Sequence, residues 1–119
     1  MDIEERFLKY VSIDTQSDEY SDTTPSTLKQ LDLGKELVKE MLELGITDAH
    51  LDEYGIVYGT IKGNGGTGDI IGFIAHMDTS PDASGTNIKP QKINNYDGSI
   101  IEINKELGLS LDPEEFVSL

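Results

Sequence analysis

Residues 69–78 read Asp69-Ile70-Ile71-Gly72-Phe73-Ile74-Ala75-His76-Met77-Asp78, a nearly unbroken apolar run that closes on an imidazole and a carboxylate. A run of this kind suits a strand buried on both faces and predicts the central strand of an α/β sheet. Ligands of open α/β sheets bind outside the carboxyl ends of the strands, which is where His76 and Asp78 fall. Strand alternation puts both on one side and Met77 on the other, so the imidazole and the carboxylate converge. Imidazole is a common zinc ligand, and a ligating His usually donates its other ring N–H to a carboxylate or carbonyl. The same spacing also describes an ordinary hydrogen-bonded pair in a loop, and spacing alone leaves both readings open.

Working towards the amino end, Gly63-Asn64-Gly65-Gly66-Thr67-Gly68 reads as a flexible turn into that strand. It precedes its strand, where a dinucleotide fingerprint follows one, and it lacks the Lys and Ser/Thr of a P-loop. Residues 49–53 and 56–62 read as two strands with Gly55 at the bend. Before them, Leu28, Leu31, Val38, Met41 and Leu42 form one apolar stripe of a helix that Thr24 or Ser26 caps, Pro25 opens and Gly45 ends. The opposite face, with Lys29, Lys35, Lys39, Glu36, Glu40 and Glu43, reads as solvated. Residues 12–26 read as an exposed polar connection. Ile3, Phe7, Tyr10 and Val11 recur at helical spacing behind an Asp2/Glu5 capping box.

Towards the carboxyl end, Pro81, Gly85, Pro90 and Asn94-Asn95-Tyr96-Asp97-Gly98 interrupt any period, and loops with one further strand near Ile100-Ile101-Glu102-Ile103 are expected. Ser110 or Asp112 then caps a helical turn opened by Pro113. There is no internal repeat and no linker, so residues 1–119 are expected to form one domain or part of one, with no second domain.

Nine Lys and Arg against 23 Asp and Glu give a formal charge of −14. That balance opposes docking on nucleic acid or on anionic lipid and predicts neither as a partner. With no cysteine in the chain, any metal must be held by His, Asp or Glu. The amino end lacks the segments of a signal peptide, and no apolar run approaches the roughly 18 residues of a membrane span. A cytoplasmic protein is the expectation.

The heptapeptide His76-Met77-Asp78-Thr79-Ser80-Pro81-Asp82, after an apolar strand, resembles the first metal-binding motif of the peptidase T family. So do ERFLKYVSIDTQS (residues 5–17), Pro25-Ser26-Thr27 and INNYDGSIIEINKELGLSLDPEEF (residues 93–116), which together cover nearly the whole chain in order. Related di-zinc carboxypeptidases and deacylases share a looser His-x-Asp, but the Thr-Ser-Pro-Asp continuation and Tyr96-Asp97-Gly98 favour peptidase T.

The resemblance implies an α/β fold: the N-terminal part of a zinc-exopeptidase catalytic domain, an incomplete mixed or parallel sheet with flanking helices. It implies a zinc-dependent aminotripeptidase that releases the N-terminal residue of tripeptides with two zinc ions. His76 would bind one zinc, and Asp78 would count as catalytic by orienting it. The family's bridging Asp, its Glu-Glu pair and its remaining Asp and His ligands have no counterpart in the 119 residues, so the chain alone is expected to be inactive. The alternative is a truncated, non-catalytic remnant or a small metal- or protein-binding module. An unfinished sheet also predicts self-association.

Other residues carry weaker chemistry. Asp78, Asp82, Asn95 and Asp97 lack the spacing of a calcium loop, Ser80 lacks a nucleophile elbow, and His50 beside Asp52 reads as an exposed imidazole.

Overall fold

The computed structural model describes residues 2–66 and 68–118; Thr67 of the glycine-rich turn lies outside them. The predicted capping box opens helix α1, Ile3–Val11. The Asp2 carboxylate accepts the Glu5 N–H at 2.8 Å and the Glu5 carboxylate accepts the Asp2 N–H at 2.9 Å. Two of the donors that a helix start leaves unpaired are thereby satisfied.

Helix α2, Gln30–Glu43, starts later than the sequence suggests, at Lys29 and without a side-chain cap. The Ser26 hydroxyl, one of the two expected to cap it, is engaged in the preceding connection, as is that of its neighbour Thr27. Ser26 Oγ accepts the Asp18 N–H at 3.1 Å and the Gln30 amide at 3.1 Å, while Thr27 Oγ1 donates to the Gln16 carbonyl at 2.8 Å. At the other end Gly45 follows the helix with φ +90°, the left-handed stop that the sequence predicts.

α2 is packed on two sides. On one, Gly34 lies against Leu51, so close that a Cβ would sit 2.7 Å from Leu51 Cδ1. Leu51 belongs to β1, His50–Leu51, which pairs antiparallel with β2, Val57–Tyr58. Asp52 shapes the turn between them, its Oδ1 accepting the N–H groups of Tyr54 (2.9 Å) and Ile56 (2.8 Å), with Gly55 at φ +82°. Only two residues per strand pair, fewer than the five and seven that the sequence suggests.

The other side of α2 corrects the solvated reading. Glu40 is buried, and with Glu36 it takes Lys9; Glu40 also takes the Tyr10 hydroxyl of α1. Leu33, on the same side, is the single buried hydrophobic side chain among the described residues.

Residues 69–75 depart furthest from expectation. They form no strand, and Ile70, Phe73 and Ile74 are fully exposed. An apolar, β-branched run becomes a buried strand only where neighbours accept its N–H and C=O groups and cover its faces. Among the described residues nothing does either. Beyond it, β3, Ile101–Asn104, and β4, Leu109–Leu111, form an antiparallel hairpin with an irregularity between Glu102 and Asn104. The further strand is thus present, with Ser110 inside its partner rather than capping. Asp112 does cap, accepting the Glu114 N–H at 2.9 Å, but a turn forms there rather than a helix.

The result is a mixed helix and strand structure with a radius of gyration of 18.0 Å. A compact domain of this length measures roughly 13–14 Å, so the elements do not close over one core. Among the described residues no helix is long and apolar enough to cross a membrane.

Candidate metal-ligand loop

The polar connection after α1 holds the loop that follows the apolar run. Gln16 and Thr79 form a parallel bridge: the Thr79 N–H donates to the Thr15 carbonyl at 3.2 Å and the Ser17 N–H donates to the Thr79 carbonyl at 3.0 Å. Thr15 is buried beneath this contact, at 2% exposure. The Gln16 amide donates to the carbonyls of Ala83 (2.8 Å) and Pro81 (3.3 Å). Asp14 takes Lys29 at 2.8 Å, the Thr86 hydroxyl at 2.9 Å and the Gln16 N–H at 3.0 Å. These partners, Lys29 first, hold the Asp14 carboxyl below its ordinary range.

Both sequence-predicted residues sit on this loop and meet. His76 Nδ1 lies 3.1 Å from Asp78 Oδ1. A ring N–H donated to the carboxylate leaves Nε2 as the lone-pair nitrogen, the arrangement of a ligating His with an orienting acid. His76 is 85% exposed and Asp78 42%, so Nε2 is open to a ligand. Behind the loop a cavity of about 600 Å3 separates it from both helices, lined by Phe7, Val11, Leu33, Leu37, Met77 and Ile88.

A zinc needs four donors, or three and a water. Among the described residues no three His, Asp or Glu side chains converge. The described residues therefore include an imidazole oriented by a carboxylate, without a complete set of zinc donors. Asp82 accepts the Ser80 hydroxyl at 2.6 Å and Asp97 accepts the Ser99 N–H at 3.0 Å. His50 stacks on Tyr58 with ring centroids 5.3 Å apart, on the hairpin rather than at this loop.

No family model matches the chain. Individual relatives do. Peptidase T of Desulfitobacterium hafniense (strain Y51) is 57% identical over 116 residues, covering 97% of this chain and 28% of the relative. Peptidase T of Clostridium acetobutylicum is 51% identical over 113 residues, and that of Bacillus cereus (strain B4264) is 47% identical over 116, each again over 28% of the relative. Over nearly its whole length the chain is similar to peptidase T. It spans about 28% of the length of these relatives, and the match embraces residues of both the 14–17 segment and the His76 loop.

Sequence reading singled out His76 and Asp78, which the structure brings together, and passed over Asp14 and Gln16, which hold their loop and lie in the stretch read as an exposed connection. The available signal was ERFLKYVSIDTQS itself, a motif of the family resemblance that extends past the end of α1.

Proposed function

We propose that this chain forms the amino-terminal part of the catalytic domain of a zinc-dependent aminotripeptidase, a cytoplasmic enzyme with a zinc-exopeptidase fold. On this reading His76 Nε2 binds one of two zinc ions and Asp78 orients the ring. The bound metals would activate water and polarise the first peptide carbonyl of a tripeptide. The described residues contribute one ligand and its orienting carboxylate, and the further ligands and the general base would come from the part of the relatives that the chain does not span. The single observation that carries this reading is the 3.1 Å His76–Asp78 pair within a peptidase T sequence.

The test is a chimera in which this chain replaces the matching segment of the Desulfitobacterium hafniense peptidase T. The chimera should hydrolyse tripeptides and retain zinc. His76→Ala should lose both, and Asp78→Ala should weaken metal binding by about 10–100-fold, the usual cost of removing an orienting acid. Full zinc content and turnover in the His76→Ala chimera would sink the proposal. The 119-residue chain supplies an arm independent of chimera folding: its zinc uptake should be weak, without turnover, and abolished by His76→Ala.

A further inference from the structure

We infer that Gln16 is a positioning residue for the His76–Asp78 loop; this inference rests on the reading of His76 as a metal ligand. Three contacts converge on the point. The backbone of 15–17 grips Thr79, one residue past Asp78, through both of its backbone groups. The Gln16 carboxamide reaches across to the carbonyls of Pro81 and Ala83, closing the far limb of the same loop. Gly85 then packs into the corner: a Cβ there would stand 2.9 Å from Asp14 Oδ1, 3.2 Å from Gln16 Cβ and 3.3 Å from Thr79 Oγ1.

This chemistry needs a neutral donor. Gln16 Nε2 offers two N–H groups to two carbonyls, whereas a carboxylate at the same place would face those carbonyl oxygens with only acceptors. The hydrogen bonds fix the loop from which His76 and Asp78 project, and His76 itself is exposed, its direction set by Asp78 of the same loop. An exposed ligand held through its loop depends on what anchors the loop. Gln16 touches neither His76 nor Asp78 by hydrogen bond, so it acts through backbone geometry alone.

The test uses the chimera with the Desulfitobacterium hafniense peptidase T, in which the further ligands are supplied, with zinc alone as the probe, comparing the parent chimera with Gln16→Glu, Gln16→Leu and His76→Ala. Two quantities are read: the zinc dissociation constant by calorimetry, and amide hydrogen exchange at Ser17 and Thr79 against that of α1 and α2. The expected result is that both Gln16 variants speed exchange at Ser17 and Thr79, leave helix exchange unchanged and weaken zinc about tenfold. Zinc affinity unchanged in Gln16→Glu and Gln16→Leu, while His76→Ala abolishes it, overturns this inference and leaves the metal reading standing. Zinc affinity unchanged in His76→Ala overturns the metal reading and this inference with it. A uniform rise in exchange across the helices also overturns it, because Gln16 would then serve general stability.

Discussion

Tyr10 donates its hydroxyl from α1 to the carboxylate of Glu40 on α2, a side chain otherwise held by Lys9 at 3.2 Å and approached by Arg6 at 3.7 Å. Glu40 is buried, and its pKa is lowered by the Tyr10 hydrogen bond first and by Lys9 after the opposing effect of burial. The contact between the two helices is therefore ionic at its centre, with Leu33 as its buried apolar partner. Tyr10→Phe should cost about 1.5–3 kcal/mol, the range for a hydrogen bond to a charged group. Urea unfolding followed by helical circular dichroism measures it, and a loss below about 0.5 kcal/mol would mean that Lys9 alone satisfies Glu40.

Acid should open the same contact. A carboxylate whose folded pKa is depressed stabilises the fold fully above its unfolded pKa, near 4.5 for Glu40, and loses that contribution as pH falls through the folded value. Asp14, depressed from 3.8, adds a second loss at lower pH. Stability should thus be flat down to about pH 5 and fall below it, in the window of depressed carboxylates. Glu40→Gln should lower stability at neutral pH and flatten the upper part of this fall, as read from melting temperatures between pH 7 and 3.

Gly85 is confined by its neighbours rather than by its backbone. Gly85→Ala would drive a methyl to within 2.9 Å of Asp14 Oδ1 and 3.2 Å of Gln16 Cβ. Overpacking of this kind costs about 1–3 kcal/mol. The expected outcome is faster amide exchange at Ser17 and Thr79 with the hairpin of β1 and β2 unaffected, whereas Gly63→Ala, where a Cβ meets nothing within 4 Å, should leave exchange unchanged.

What the sequence made legible follows the range of the interactions. The capping box of Asp2 and Glu5 and the left-handed stop at Gly45 depend on residues within one turn, and both formed as read. His76 and Asp78 are two residues apart and met. Ser26 failed as a cap because its hydroxyl is taken by the N–H of Asp18, eight residues away. Asp14 and Gln16 reach the His76 loop through Thr86 and Ala83, 72 and 67 residues on, and no local pattern announces such a pairing. Periodicity in 69–75 reported correctly that these side chains are apolar enough for burial; it cannot report whether anything arrives to bury them.

That exposed run predicts self-association, and charge gives the prediction its discriminating arm. Ile71 and Phe73 lie two residues apart, on one face of an extended chain, at 76% and 95% exposure, with Ile70 and Ile74 on the other. An apolar segment with unpaired backbone groups is a template for pairing with a second copy. The formal charge of −14 opposes that pairing at long range, and salt screens the repulsion beyond about 10 Å at 0.1 M. We propose that the chain associates through 69–75, more strongly as salt rises. Replacing Ile71 and Phe73 together by Lys moves the formal charge from −14 to −12. If net repulsion governed association, the double variant would associate more than the parent. If the apolar run governs it, the variant should shift towards monomer in sedimentation velocity at equal salt, and a parent that sediments as a single monomeric species at all concentrations would dismiss the proposal.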